Sequence, residues 1–405
     1  MPPLTGIVVL DFTHMLPGEL CAAILSDMGA TVIRVESHTP GLAHKLPPIV
    51  DGESLFYWSI QRDKSRIKVD LKTEAGLTLI KKLIPQCDIV IENFRTGVME
   101  RLGLGYKTLS SINPELIYIS VTGHGQDSDR KDEPVHDLNL IAETGLLSLN
   151  RRENERPVLP SIPISDYMSG TLGALSVLGA LLERQNGGGG KQLDISMFDA
   201  SLSSLNVLGS MVLYTRKTPN EGGFAYPREL PNYNTYECKD GRFLAVASLE
   251  RPFWKVFCQT INRPDIEPLI DDPSKEDTLK ETIGKEIKSK TLADWTRIFH
   301  GTNCCVSPVK TLNETFETYP LAARGMLSGL QHPVLGNVPQ ILMPVDRQLR
   351  KNHAPETEDR RLSDLLSFLK NAGYGPEEID KLTGSGIITL PGLEENPTLS
   401  TSKQN

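Results

Sequence analysis

Residues 7–36 read IVVLDFTHMLPGELCAAILSDMGATVIRVE, and this stretch decides the fold class. IVVLDF (7–12) is a short apolar run of the kind that forms a strand buried on both faces. ELCAAILSDMG (19–29) has helical character and stops at Gly29, a residue suited to the conformation in which helices end. TVIRVE (31–36) returns as a second β-branched run. Strand, helix and strand within about thirty residues make a βαβ unit, whose crossover leaves the two strands parallel.

The alternation continues outward. EAGLTLIKKLI (74–84) predicts a helix feeding a strand at DIVIENF (88–94), and LIYISVTG (116–123) and QLDISMF (192–198) predict two more strands. This pattern specifies an α/β fold with a parallel, Rossmann-like, doubly wound sheet. The character changes near residue 217, where KTPNEGGFAYPRELPNYN is rich in Pro, Gly and Asn. YECKDGRFLAVAS then predicts a hairpin turning at Lys-Asp-Gly, and FWKVFCQTI and LADWTRIF predict helices of a smaller α+β domain. The expected organisation is a large domain over 1–216, a linker over 217–229 and a small domain over 230–329. A C-terminal segment, 330–405, is expected to return to the large domain.

With 23% charged and 39% hydrophobic residues over 405 positions, the chain is globular and has room for two or three domains. Its formal net charge of −8 disfavours general affinity for nucleic acid or an anionic membrane, so a polyanionic ligand requires a local basic patch. The cysteines form no CxxC pair and the histidines no HxxxH pair, so no metal site is expected and the thiols read as reduced and cytoplasmic. The opening MPPLTGIVVLDF lacks a basic n-region, and no uncharged run reaches the roughly 20 residues of a bilayer span.

Two stretches imitate nucleotide sites. NGGGGK (186–191) has Gln185 and Gln192 where a P-loop requires Gly and Ser/Thr, and it leaves a helix for a strand. Glu36 ends the second strand as in dinucleotide folds, but the preceding turn THMLPG lacks GxGxxG.

The basic row is more informative. QRDKSRIKVDLK (61–72) carries Arg62, Lys64, Arg66 and Lys68 at every second position, one face of an extended segment. Such a row either holds phosphates or solvates an edge strand. Arg95 and Arg101 follow a strand's carboxyl end, where open α/β sheets bind ligands.

Three side chains are candidates for chemistry. His136, in PVHDLNLIAETG (134–145), precedes a helix beginning near Leu138; it is either a base or a surface histidine beside a capping Asp137. Asp166 stands at the head of a long helix as either an N-cap or a reactive carboxyl, with Ser169, Gly170 and Gly173 leaving room for a ligand. Glu250 follows the strand FLAVAS, where a carboxylate alone means little.

Taken together, the segments resemble the class III CoA-transferase superfamily, also called the CaiB/BaiF type. VLDFTHMLPGELCAAILSDMGATVIRVE, DLKTEAG, DIVIENFRTGVMERLGLGY, LIYISVTGHGQ, ISDYMSGTLGAL and GGGGKQLDISMFDA carry the likeness along nearly the whole chain. HDLNLIAETGLL, NYNTYECKDGRFLAVASLE and NCCVSPV are most similar to the α-methylacyl-CoA racemases within it. The resemblance implies that His136 and Asp166 are two acid/base groups and that Glu250 supports His136. It implies no separate cofactor, because coenzyme A enters as part of an acyl-CoA substrate. Contacts to that coenzyme A are implied at Val69, Asp70, Leu71 and Lys72, then at Asn93, Phe94 and Arg95, with Arg101; Arg62 of the basic row is expected to join them. Val135, Asp137, Leu138, Asn139 and Leu140 would line the thioester around His136. An interlocked homodimer is implied as well, each site shared between one subunit's large domain and its partner's small domain.

The activity so implied is racemisation at the carbon beside the thioester, by two-base proton transfer through an enolate. The alternative is CoA transfer with Asp166 as nucleophile, through an aspartyl-CoA thioester. The chain departs from the racemases at Ser37, where they carry an arginine, although His38 stands beside it. Leu140 replaces the tyrosine that closes their histidine motif, and DSDRKDEP replaces the usual Gly-Pro.

Overall fold

The structure is a computed structural model that describes residues 1–150, 156–217, 229–351 and 358–391. Residues 218–228 of the expected linker lie outside these. The chain divides into two units, Met1–Asn206 with Leu321–Asn405, and Val207–Pro320. The first crossing therefore falls at Asn206, ahead of the expected 216.

In the larger unit β1 (Val8–Asp11), α1 (Leu16–Asp27) and β2 (Thr31–Glu36) form the expected βαβ. They are followed by β3 (Lys64–Val69), α2 (Glu74–Leu83), β4 (Ile89–Glu92), β5 (Ile117–Thr122), α3 (Asp137–Glu143), α4 (Ile164–Gln185) and β6 (Lys191–Ser196). The strands pair in the order β3-β2-β1-β4-β5-β6, all parallel, as in dinucleotide folds. A short strand, Ile388–Thr389, adds antiparallel to β3 and completes a seven-stranded sheet.

Alternation along each strand divides the core between the two faces of the sheet. Val9, Val32, Ile89, Ile91, Ile117 and Ile119 pack with Leu20, Ile24, Val177 and Leu181 of α1 and α4. Their neighbours Leu10, Ile33, Ile67, Val90 and Tyr118 pack with Leu79, Ile80 and Leu83 of α2 and with Leu365 and Leu369. Helix α2 starts where Thr73 accepts the Gly76 N–H at 3.1 Å.

Two sequence readings are corrected by this packing. Ser169, Gly170 and Gly173 do not make room for a ligand: a Cβ on Gly170 would lie 2.6 Å from the Pro17 carbonyl, so the small residues seat α4 against α1. The basic row is neither a solvated edge nor a free phosphate clamp. Lys64 is fully buried, 3.1 Å from the Glu19 carbonyl and 3.6 Å from Asp11, and burial pulls its ammonium below the usual lysine range. Arg62 is also buried, and it donates to both oxygens of Asp27 at 2.9 and 2.6 Å, so its fork is engaged inside the chain. Arg66 lies over the Trp58 ring at 4.5 Å. These cations neutralise buried acids, as isolated charges would be costly there.

Glu36 belongs to the same network. It accepts from Arg34 at 2.7 Å and from the Tyr57 hydroxyl at 2.5 Å. Burial would raise its carboxyl, yet His44 and the Arg34 charge hold it well below the usual range. The glycine loop leaves α4 and enters β6, and a Cβ on Gly190 would lie 2.3 Å from the Leu116 carbonyl. That glycine therefore serves close backbone packing.

The second unit holds α5 (Asn206–Thr215) from Val207 onward and an antiparallel sheet of β7 (Tyr233–Glu237), β8 (Phe243–Ala247) and β9 (Val306–Pro308), with β8 in the middle. The hairpin closes around Lys239-Asp240-Gly241, with the Cys238 N–H donating to the Arg242 carbonyl at 2.7 Å. Trp254 and Phe257 from α6 (Arg251–Thr260) pack with Ile283 and Ile287 of α7 (Glu276–Ile287) and with Trp295 and Phe299 of α8 (Leu292–Phe299). Helix α5, NVLGSMVLYT, buries none of its residues, and Leu213 is 67% exposed.

Candidate active site

The strand order reverses between β1 and β4, and in open α/β sheets the crevice at that point, beyond the carboxyl ends, binds ligands. A cavity of about 590 Å³ opens there. Met15 and Pro17 after β1, Asn93–Thr96 after β4, Val121–Gly123 ending β5, Val135–Leu138 and Asp166 all line it. The candidate pair His136 and Asp166 thus meets at one cavity.

His136 is the N-cap of α3, which begins at Asp137, one position before the expected Leu138. The Asn139 side-chain oxygen accepts the His136 backbone N–H at 3.0 Å, and the Asn139 N–H donates to the His136 carbonyl at 3.0 Å. Asn139 therefore anchors the histidine instead of lining the cavity.

Asp137 does not cap its own helix. Its Oδ1 accepts the Ser165 N–H at 2.6 Å and the Asp166 N–H at 3.4 Å, closing the amino end of α4. Asp166 sits inside the first turn of α4, whose N-cap is Pro163, and so is not the capping residue. A helix amino terminus ordinarily favours a carboxylate. Here burial and then the neighbouring Asp137 charge prevail and push the Asp166 carboxyl up to about 7. Near neutral pH, Asp166 is divided between acid and carboxylate.

Placement of the other expected contacts is uneven. Val135 and Leu138 line the cavity, whereas Leu140 is fully buried among the α1–α4 core residues and presents no side chain to a thioester. Asn93, Phe94 and Arg95 line it too, with Asn93 Oδ1 accepting the His14 N–H at 2.9 Å. Val69 is a buried core residue; Asp70, Leu71 and the exposed Lys72 follow it past the carboxyl end of β3, and Arg101 is exposed. None of these five lines this cavity. Ser37 lines a neighbouring cavity of about 320 Å³ with His14, Arg34 and His44. His38 instead has ring nitrogens 3.4 Å from the Ile387 carbonyl and 3.3 Å from the Thr389 hydroxyl. Glu250 is exposed at the amino end of α6 in the second unit.

The polar insertion DSDRKDEP is tied to α3, because Arg130 pairs with Glu133 at 2.7 Å and with Glu143 at 2.9 Å. Sequence reasoning also missed Glu92, hidden in the apolar strand DIVIENF. Only 2% exposed, it accepts the Phe94 N–H at 2.8 Å, and burial pushes its carboxyl up to about 7. The folded chain therefore holds a proton on Glu92 that the unfolded chain releases above about pH 4.5, so stability present at low pH is lost as pH rises to about 7. Glu92→Gln is expected to remove that loss, raising stability at pH 8 relative to wild type by about 3 kcal/mol. Urea unfolding at pH 4 and pH 8 checks it; equal effects at both pH values would refute the assignment.

The α/β sheet thus carries an imidazole and a raised carboxyl together in its switch-point crevice. The chain belongs to CoA-transferase family III, whose profile matches residues 4–358, and it is an enzyme of that superfamily. It is 33% identical over 407 residues to the α-methylacyl-CoA racemase of Mus musculus, covering 97% of this chain and 99% of that one. It is 28% identical over 405 residues to the succinyl-CoA:glutarate CoA-transferase of Mus musculus, covering 96% and 91%. In structure it resembles a CAIB/BAIF family protein from Brucella suis, with a TM-score of 0.78 at 23% identity over 91% of this chain and 99% of that one, a likeness of fold. Among the described residues no helix is long and apolar enough to cross a membrane, and no group of three or more His, Cys, Asp or Glu could hold a metal ion.

Proposed function

We propose that the protein is an α-methylacyl-CoA racemase-type isomerase, which moves the proton at the carbon beside a CoA thioester through an enolate. The carrying observation is that His136 and Asp166 line one cavity, with the Asp166 carboxyl at about 7. Inverting that carbon requires removal of a proton on one side and delivery on the other, hence one base and one acid. Asp166 supplies either form near neutral pH. The first amides of α3, at Asp137 and Leu138, have no carbonyl a turn earlier to donate to, and this reading assigns them to the enolate oxygen.

Coenzyme A is proposed to enter only with the substrate, along Asn93, Phe94 and Arg95, with no further cofactor. The working form is proposed to be an interlocked homodimer in the cytoplasm, in which Glu250 of one subunit supports His136 of the other. The apolar, unburied α5 supports a partner surface.

CoA transfer is the second reading. It is supported by the transferase relative that spans nearly the same length, and it uses the ionised fraction of Asp166 as nucleophile. A deuterium wash-in assay over a small panel of 2-methylacyl-CoA thioesters, with and without a free carboxylate acceptor, separates the two. Deuterium entering the α position without acceptor supports the isomerase. CoA exchange that requires the acceptor, with a hydroxylamine-trapped mass change on Asp166, would replace it with the transferase.

A further inference from the structure

We infer a second ligand site, for a diphosphate-bearing anion, in the larger unit between the N-terminal residues and the segment 325–351. A cavity of about 490 Å³ opens beside the amino end of β1, and Arg347, Arg350 and Lys351 supply its charged lining. It shares no residue with the crevice at the carboxyl ends.

The two arginines converge. Arg347 Nη1 donates to the Ala323 carbonyl at 3.1 Å, and Arg350 Nη1 to the Gly325 carbonyl at 2.7 Å. A Cβ on Gly325 would lie 3.3 Å from Arg347 Cδ and 3.6 Å from Arg350 Nη2, so both side chains crowd one backbone position. Lys351 adds an ammonium paired with Asp63 at 3.2 Å. Asp346, the acid of this loop, does not line the cavity, and its Oδ1 accepts the Gln348 N–H at 2.9 Å. Two guanidiniums therefore face a cavity whose described lining holds no carboxylate, with the Lys351 ammonium beside them held by Asp63.

Two guanidiniums brought to one backbone position form a local concentration of positive charge that an anion would complement. Guanidinium forks fixed at one corner match phosphate oxygens, and two of them suit two linked phosphates. The remaining walls, Pro2, Leu327 and Leu342, are apolar and suit an organic group carried on the diphosphate.

Isothermal titration of the intact chain with pyrophosphate and with ADP tests the site. Saturable binding that survives Arg95→Ala in the crevice is expected, weakened at least about tenfold by the Arg347→Ala/Arg350→Ala double variant. Gln348→Glu, which sets a carboxylate at the cavity while keeping both arginines packed, is expected to weaken binding to a similar degree and covers a double variant that fails to fold. Tighter ADP than pyrophosphate supports a nucleotide ligand; the reverse supports the free anion. Absence of saturable binding, or binding lost in Arg95→Ala and kept in Gln348→Glu, overturns the site.

Discussion

His136→Ala is expected to lower α-proton exchange into a 2-methylacyl-CoA by about 10²–10⁴-fold, the usual worth of a positioned general base. Asn139 holds only the backbone of His136, its side-chain oxygen accepting the His136 N–H and its own N–H donating to the His136 carbonyl, so the substitution leaves the start of α3 intact. Thioester binding should therefore change little, and the loss should fall on kcat. The measurement is deuterium wash-in at saturating substrate, with binding followed separately by titration. Exchange at the normal rate in His136→Ala would end the two-base proposal and leave the transferase reading in possession of the site.

The second large effect is Asp166→Asn, which is expected to abolish racemisation and transfer alike, because an amide neither moves the proton nor attacks a thioester. The pH dependence is more discriminating than the loss. With the Asp166 carboxyl at about 7, one enantiomer requires it protonated and the other requires it ionised. Because the equilibrium between the two epimers does not change with pH and the two working forms carry the same number of protons, kcat/KM for both should follow one profile with a break near pH 7. Because the Asp137 charge contributes to the raised value, Asp137→Asn should move that break to lower pH for both enantiomers, while its amide oxygen still accepts from Ser165 and Asp166. A profile without a break near pH 7, or a break that Asp137→Asn leaves in place, would show that Asp166 does not carry the proton in catalysis.

What could be read in advance follows from how far apart the determining residues lie. The first βαβ unit was legible because its apolar spacing is local, and Val9 and Leu10 fall on opposite faces as alternation requires. The charge row misled because the partners of Lys64 and Arg62, namely Asp11, Glu19 and Asp27, lie on β1 and α1, far away in sequence. Asp166 was found but misplaced as a possible cap, since the residue that closes α4, Asp137, comes from another helix. Glu92 left no signal, as an acid ending an apolar run reads as a strand terminus. Glu250 stood out in the sequence only as a carboxylate after an apolar strand, its supporting role came from the family resemblance, and it stands in the other unit from His136.

The carboxylate of Asp137, the first residue of α3, closes the amino end of α4 and so acts as a rivet between the segments that bear His136 and Asp166. A shift of either segment strains the same pair of amide contacts, a restraint that residues 160–162 of the cavity wall do not share. Under the proposed function, changes there would reshape the space open to an acyl chain while leaving that restraint in place. Substrate range can then diversify on an unchanged catalytic gauge.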